Sequence, residues 1–199
     1  MTVILSPEQI DKIGNTVVYL SSRVSELTKT KLLKILFLLE ENSIKKYGKP
    51  FFGLDFKVWQ FGPVVEPIYK EVDEGKFEIF KNYLKKNPFD EIEGISDFVD
   101  DEFSQNDLNL IDEMVLFAKH KTPSNFVHFT HKSSSLWRKA AIKYGILEEL
   151  ESGRMPKTDY SIDFFMLFEG DEENPVFEKY KSSLENAAFS KNFKELRIV

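Results

Sequence analysis

The feature that most constrains the fold of this chain is an apolar run at residues 32–39, in which seven of the eight residues are apolar and Lys34 is the exception. Thr28 can cap a helix ahead of the run, and Gly48 is a natural helix end behind it. A helix that is apolar nearly all round must be covered by other elements on every side. Because the run is far shorter than the ~20 residues that span a bilayer, it predicts a buried helix of a multi-helix domain.

Capping signals predict further helices on both sides of this one. Ser6-Pro7-Glu8-Gln9 has the order of a capping box, with proline in the first turn. Pro63 or Pro67 is expected to open another helix, because proline suits the first helical turn. The other predicted helix starts are Ser104, Thr122, residues 133–135 and Pro175.

One minor element is expected to be extended rather than helical. Residues 51–61 are rich in phenylalanine, valine and tryptophan, a composition typical of strands, so they predict a short extended element or β-hairpin. The acidic residues around 90–102 predict a loop with or without a short helix. No repeat and no low-complexity linker divides the chain. The predicted fold class is therefore mainly α, a compact multi-helix single domain with a minor hairpin.

The composition excludes several classes of protein. None of the 199 residues is cysteine, which excludes disulfides, thiolate catalysis and thiolate zinc sites. The lack of cysteine also fits a reducing compartment. The N-terminus has no basic segment ahead of a long apolar one, so it does not have the pattern of a signal peptide. These features predict a cytoplasmic protein that does not enter a membrane.

Charge is distributed unevenly along the chain, whose formal net charge is −6. Residues 89–107 contain eight carboxylates and no Lys or Arg, whereas residues 114–147 contain six Lys or Arg and no carboxylate. The basic stretch also carries aromatic residues, so one interpretation is a nucleic-acid or nucleotide face. The alternatives are aromatics that face inward, a basic face that packs near the acidic stretch, and a surface for a protein partner. The negative net charge disfavours nucleic acid.

Candidate catalytic and metal-binding residues are few. His128 and His131 are three residues apart on a predicted helix, but a metal ion needs further ligands and the neighbouring sequence supplies none. Serines 133–135 follow His131 without the turn that exposes a nucleophile, and a helix cap explains them better. The glycines form no phosphate-binding loop. We therefore expect no catalytic residue, no metal and no cofactor in a protein that is not an enzyme.

The segment Trp59-Gln60-Phe61-Gly62-Pro63-Val64, called the 59–64 corner below, joins two large aromatic side chains to a Gly-Pro pair. Gly62 can adopt backbone angles that other residues avoid, and Pro63 fixes the angle that follows. Such a corner is either a structural staple or a rigid anchor for a binding partner. Spacing alone favours the staple.

Two separated motifs carry a resemblance to a known family. The first is Tyr47-Gly48-Lys49-Pro50-Phe51-Phe52, followed by Asp55 and the 59–64 corner. The second is Thr130-His131-Lys132-Ser133-Ser134-Ser135-Leu136-Trp137-Arg138-Lys139-Ala140. Together they resemble the Panacea antitoxin domain, whose family includes phage-associated GepA-like and SocA-like proteins. Leu136 stands where that family often has proline.

The resemblance covers residues 15–170 and implies a helical domain at residues 1–170. A helical extension at residues 171–199 is expected to pack on the same domain. The resemblance also implies an antitoxin whose partner is a protein toxin, encoded by a neighbouring gene and neutralised by direct contact. Some relatives are thought to deliver the toxin to a protease as well. No catalytic residue is implied.

The resemblance draws attention to His131, Trp137 and Arg138 in the second motif. We expect His131 and Trp137 to lie in a groove with the 59–64 corner. There they are either the staple of the fold or part of the surface that docks the toxin. Aromatic residues and arginine are typical of the centre of protein interfaces, so the docking alternative stays open at this point.

Overall fold

A computed structural model describes residues 5–171 and 173–196, in which eight α-helices and two small antiparallel strand pairs form a mainly α fold, as predicted. The helices are α1 Pro7–Ser21, α2 Lys29–Tyr47, α3 Glu66–Glu74, α4 Gln105–Ala118, α5 Pro123–Thr130, α6 Leu136–Lys143, α7 Leu147–Glu151 and α8 Pro175–Leu196. The strands are β1 Lys57–Trp59, β2 Gly62–Val64, β3 Leu84–Lys86 and β4 Ile92–Gly94, and a short 3-10 helix spans Phe164–Phe168. Within the described residues, no helix has both the length and the hydropathy of a membrane span.

Helix α2 lies at the centre of the fold, as the apolar run predicts. Every residue from 31 to 41 is buried, including Lys34 and Glu40. Helices α3, α4, α5 and α8, strand β2 and the 3-10 helix all contact α2. Full burial of one large aliphatic side chain contributes about 1.5–3 kcal/mol, so this helix supplies much of the stability of the core.

The predicted helix boundaries are confirmed where the sequence provides a cap. Thr28 occupies the N-cap position of α2, but its side chain makes no capping hydrogen bond. Gly48, with a φ of 65°, ends α2 in the left-handed conformation that glycine favours. Side-chain caps lie at Ser6, Ser104, Thr122 and Ser135, and the side chain of Asn174 accepts from the N–H of Val176 in the first turn of α8. Since such a cap contributes only about 1 kcal/mol, α2 can rely on its packing instead.

Strands β1 and β2 form the predicted hairpin, displaced toward the C-terminal side of the expected segment 51–61. The register pairs Trp59 with Gly62, which leaves a two-residue turn between the strands. Of the two prolines predicted to open a helix, Pro67 is confirmed, since it lies in the first turn of α3. Pro63 lies in β2 instead. Proline lacks an N–H group, but it is tolerated in an edge strand of a small sheet.

The second hairpin, β3–β4, is not predicted by the sequence. Strand β4 lies within the acidic segment that was expected to be a loop. Ile92 is its single buried residue, which is too little for a recognisable pattern. Helix α1 supports the hairpin, because the backbone N–H of Gly94 donates to Ser21 Oγ at 3.0 Å. The strand thus depends on a tertiary contact rather than on a local signal.

The C-terminal helix α8 begins at Pro175, as predicted, and packs on the end of α2. Tyr180 is buried. The backbone carbonyl of Val176 lies against Gly48, where a side chain would leave too little space. The division of the chain into residues 1–170 and 171–199 stays a prediction, and residues 197–199 lie outside the described part of the chain.

Candidate functional site

The 59–64 corner exposes one aromatic side chain and buries the other. Phe61, in the β1–β2 turn, is 67% exposed, whereas Trp59 is 8% exposed. Gly62 has a φ of +98°, which is accessible to glycine and strained for other residues. All of β2, including Pro63 and Val64, is buried. The corner therefore has a buried underside and one protruding ring.

The second motif holds the corner by its backbone carbonyl groups. Trp137 Nε1 donates to the carbonyl oxygen of Trp59 at 2.9 Å, and His131 Nε2 lies 2.9 Å from the carbonyl oxygen of Gln60. The rings of His131 and Trp137 pack with their centroids 4.0 Å apart. Trp137 is fully buried. The structure thus brings both residues against the corner, where they fix the backbone that precedes Phe61.

His131 faces a carbonyl oxygen at each ring nitrogen. Its Nδ1 lies 2.7 Å from the carbonyl oxygen of Val127, and its Nε2 faces that of Gln60. A neutral imidazole has one N–H, so only the doubly protonated ring donates to both oxygens. His128, the other member of the candidate metal pair, is exposed on α5. Among the described residues, no three His, Asp or Glu side chains form a group that could hold a metal ion.

Residues 156–161 form a loop that covers the other side of the hairpin and that sequence reasoning missed. Trp59 Nε1 donates to the carbonyl oxygen of Thr158 at 3.0 Å, and Thr158 Oγ1 donates to the carbonyl oxygen of Val58 at 2.7 Å. The Nζ of Lys157 lies 4.6 Å from the centre of the Trp59 ring. The backbone carbonyl groups of Tyr160 and Pro156 also accept, from the N–H groups of Val58 and Gln60. Because backbone carbonyl groups are the same in every residue, the sequence carries no signal for these bonds.

Lys34, the exception in the apolar run, reaches the corner from α2. It is 2% exposed, and its Nζ donates to the carbonyl oxygen of Pro63 at 3.0 Å. Burial disfavours the charged ammonium and lowers the pKa of Lys34 to about 7. The sequence reading did not select this residue. Its position in the apolar run could have identified it, because the side chain of a lysine on a helix that is covered on all sides cannot extend into water.

Glu40 is a second buried ionisable group on α2. Its carboxylate accepts hydrogen bonds from the backbone N–H groups of Phe52 at 2.7 Å and Gly53 at 3.1 Å, and so anchors the segment that leads into β1. Burial raises the pKa of Glu40 to about 7, although both hydrogen bonds favour the charged form. The chain therefore keeps two buried groups whose ionisation changes near neutral pH.

Arg138 belongs to the second motif but interacts with α7. Its guanidinium group forms an ion pair with Glu151 at 2.7 Å. Both side chains are partly exposed, and such pairs typically contribute less than ~1 kcal/mol. This pair links α6 to α7. The residues of the second motif that hold the corner are therefore His131 and Trp137.

The basic stretch 114–147 turns its largest aromatic residues inward, although Phe129 is 36% exposed. Phe126 and Trp137 are buried, and Phe117 packs edge-on against Phe126. This arrangement favours the interpretation in which the aromatics face inward. Among the described ion pairs, those of the acidic stretch 89–107 run to lysines outside the basic stretch: Lys12, Lys85 and Lys86.

A cleft of about 450 Å³ lies between α2, α3, the β1–β2 hairpin and the 156–161 loop, and we call it the lysine cleft. Three lysines line it, at positions 29, 34 and 157, and its lining contains no Asp or Glu. The remaining walls are largely apolar and include Leu33, Trp59, Phe61, Val64, Tyr69 and Val127. Its volume falls in the range of small-molecule sites, roughly 300–1,000 Å³.

Replacing Gly62 with alanine tests how closely the corner and α2 approach each other. A Cβ at Gly62 would lie 2.7 Å from Lys34 Cε and 3.0 Å from Thr130 Oγ1, on a backbone with a φ of +98°. We expect the free energy of unfolding to fall by about 2–3 kcal/mol in urea denaturation, through strain and overpacking.

Gly145→Ala is the matched control for this substitution. Gly145 also has a positive φ, +67°, but no atom of the described residues lies within 4 Å of the added Cβ. Its expected cost is therefore the backbone strain alone, about 1 kcal/mol. Equal losses for the two variants would contradict a tight approach at Gly62.

Comparison with known proteins assigns the chain to a family. A family model described as antitoxin SocA-like, Panacea domain, matches residues 32–138, which is more than half of the chain. The matched segment contains Lys34, the 59–64 corner and the residues that hold it, His131 and Trp137. No curated protein and no solved structure gives a significant match. The chain therefore belongs to the SocA-like antitoxin family, with its Panacea domain at residues 32–138.

Proposed function

We propose that this protein is a cytoplasmic antitoxin that neutralises a protein toxin, encoded by a neighbouring gene, through direct contact and without catalysis. Membership in the SocA-like family supports an antitoxin role in general terms. The observation that carries the mode of action is Phe61, a large aromatic ring that is 67% exposed on a corner whose other aromatic residue, Trp59, is buried. Aromatic side chains, phenylalanine included, are enriched in protein interfaces relative to the rest of the surface.

The corner is suited to binding because it is already fixed in the free protein. Hydrogen bonds from the second motif hold the carbonyl groups of Trp59 and Gln60, the two residues before Phe61. Strand β2 begins at Gly62, the residue that follows Phe61. A side chain on a rigid support loses little conformational freedom when a partner binds, so more of the contact energy appears as affinity.

The two roles considered for the 59–64 corner and the second motif, structural staple and toxin-docking surface, are then assigned to different residues. Trp59 and Trp137 are buried, and His131 is partly buried, which fits the role of staple. Phe61 is the residue assigned to the contact with the toxin. Arg138 is assigned to neither role, because it pairs with Glu151.

Co-expression in a bacterial host tests the antitoxin function. The neighbouring open reading frame is induced alone and then together with this chain. The proposal expects growth arrest in the first case and growth in the second, followed by co-purification of the two proteins. If neither flanking gene arrests growth, the claim of a neighbouring toxin fails. If growth is restored without a complex, neutralisation by direct contact fails.

Phe61→Ala is expected to abolish rescue while the protein stays folded. Truncation of a central aromatic anchor weakens binding by about 30-fold or more, which corresponds to a loss of at least about 2 kcal/mol. Because Phe61 is exposed, the free energy of unfolding should change by less than ~0.5 kcal/mol. Calorimetric titration with the purified toxin and urea denaturation measure the two quantities.

Phe89→Ala is the matched control, because Phe89 is 80% exposed but lies next to the other hairpin. This variant should bind the toxin and rescue growth as the unmodified protein does. Equal losses of affinity for both variants would argue for a nonspecific apolar effect. Full binding by Phe61→Ala would remove Phe61 from the interface.

Delivery of the bound toxin to a protease is an additional element of the proposal, and it has its own readout. The half-life of the toxin in cells is measured with and without this protein, in hosts that have or lack individual cytoplasmic proteases. Delivery is supported if this protein shortens the half-life of the toxin, and if that effect is lost in a host that lacks one particular protease. An unchanged half-life alongside full rescue leaves direct inhibition as the complete mechanism.

A further inference from the structure

We propose that the lysine cleft binds a small apolar monocarboxylate, with the carboxylate on Lys34 and the apolar body against Trp59, Tyr69 and Leu33. This ligand site goes beyond the proposed contact with a toxin, and its test needs no toxin. Three observations support it: the hydrogen-bonding capacity of Lys34, the state of the other two lysines, and the walls of the cleft.

The ammonium of Lys34 has capacity for a further acceptor. It carries three N–H donors, and within the described residues the carbonyl oxygen of Pro63 is its one hydrogen-bond acceptor. No carboxylate lines the cleft to balance its charge. An ammonium that is buried beside a neutral carbonyl gains both charge balance and hydrogen bonds when an anion arrives. The lowered pKa of this group has the same cause, since burial destabilises its charge.

The other two lysines already have partners, so the cleft matches a single negative charge. Lys29 forms a short ion pair with Asp73. Lys157 lies over the rings of Trp59 and Tyr69, with its Nζ 4.6 Å and 5.1 Å from their centres. The deep cation that remains is that of Lys34. One carboxylate satisfies it, whereas a phosphate dianion would leave a second negative charge without a comparable deep partner.

The walls of the cleft select an apolar body for the ligand. Leu33, Val64 and Val127 supply aliphatic surface, and the aromatic rings form the rest of the lining. A volume of about 450 Å³ accommodates a molecule the size of a bicyclic aromatic acid or a medium-chain fatty acid. Small-molecule sites commonly combine mainly apolar walls with a few polar groups that fix orientation. An aromatic acid and a fatty acid share this chemistry, and the experiment distinguishes them.

Tryptophan signals in protein NMR provide a local readout of binding. The chain has two tryptophans, so the indole N–H region contains two signals, one from Trp59 in the cleft and one from Trp137, which does not line the cleft. The purified protein is titrated with 1-naphthaleneacetate, with octanoate and with the neutral 1-naphthaleneacetamide. We expect saturable shifts of the Trp59 signal with at least one carboxylate, and at least tenfold weaker binding of the amide.

Two variants and one control test the role of Lys34. Lys34→Met should weaken carboxylate binding at least tenfold, and Val127→Trp, which fills the cleft but keeps the lysine, should do the same. Lys31→Met is the matched control. Lys31 is also a fully buried lysine of α2 that donates to a backbone carbonyl, that of Ser25 at 2.6 Å, but it does not line the cleft.

The titrations distinguish the two classes of carboxylate ligand from each other and from the absence of a carboxylate site. Binding of 1-naphthaleneacetate but not octanoate assigns an aromatic acid, and the reverse assigns a fatty acid. The proposal is overturned if no carboxylate moves the Trp59 signal, if the amide binds as well as the carboxylate, or if Lys34→Met binds like the unmodified protein. Because the toxin is absent from the experiment, these results are independent of the rescue assay.

Discussion

Replacing Trp137 with alanine is expected to lower the free energy of unfolding by about 3–5 kcal/mol, the usual cost of removing a large aromatic side chain from a core. Trp137 is fully buried, and its Nε1 is the donor to the carbonyl oxygen of Trp59. The substitution therefore creates a cavity and also leaves that buried carbonyl without this hydrogen bond, which adds to the loss. Urea denaturation followed by circular dichroism measures the change.

Trp137→Phe separates the two contributions. Phenylalanine keeps most of the ring volume but has no N–H group, so this variant is expected to lose about 1–3 kcal/mol. The His131 ring, whose centroid is 4.0 Å from that of Trp137, would keep part of its packing. A loss below ~1 kcal/mol for Trp137→Ala would contradict the assignment of Trp137 as a staple. In that case, loss of toxin binding by the same variant would place Trp137 in the interface instead.

The helices of this fold could be predicted because their signals are local. Ser6 and Thr122 show the cap, the proline and the reciprocal partner within four residues. The apolar run of α2 identifies the most buried helix, since its composition leaves no side for water. Gly48 marks the end of α2 through a backbone angle that glycine adopts most easily.

The remaining elements could not be predicted because they depend on distant parts of the chain. Strands of three residues, such as β3 and β4, are too short for a pattern and are held by α1. The 156–161 loop accepts hydrogen bonds from the hairpin through the backbone carbonyl groups of Pro156, Thr158 and Tyr160, which any sequence offers. The lysine cleft arises where this loop, α2 and α3 meet. Lys34 can be identified as a candidate ligand-binding residue only when its burial and its place in the cleft are both known.

Replacing Lys34 with methionine is expected to stabilise the protein near neutral pH, and the gain should disappear in alkaline solution. The pKa of Lys34 is about 7 in the folded protein, against an ordinary value of 10.5. Below pH 7 both the folded and the unfolded chain are protonated, so folding bears the full cost of burying the charge. Between pH 7 and 10.5 the unfolded state binds more protons, and the stability of the unmodified protein rises with pH.

The size of the effect follows from the shift in pKa. At about 1.4 kcal/mol per pKa unit, the stability difference between Lys34→Met and the unmodified protein should shrink by about 4 kcal/mol from pH 7 to pH 10. Methionine has a similar length but cannot donate to Pro63, and that loss of about 1–3 kcal/mol applies at every pH. Urea denaturation at a series of pH values gives the difference directly. A difference that stays constant over this window would contradict a buried, titrating lysine.

Glu40→Gln is the control, because Glu40 should make the stability of the unmodified protein fall with rising pH, whereas Lys34 should make it rise. The pKa of Glu40 is raised to about 7 from an ordinary 4.5, so its favourable contribution is present below pH 4.5 and is lost as the pH rises through 7. The stability difference of this variant should therefore change between pH 4.5 and pH 7 and stay flat above pH 8. The two windows do not overlap, so each slope can be assigned to one residue.

A lysine that lowers stability needs another reason to be present. If Lys34 were purely structural, methionine would fill its place at lower cost, and the more stable variant would retain every other property. If Lys34 holds the carboxylate of a ligand, the same variant would be more stable and would no longer bind 1-naphthaleneacetate or octanoate. Gain of stability with loss of binding in one protein is the pattern of a group kept for function, because a local defect would reduce both.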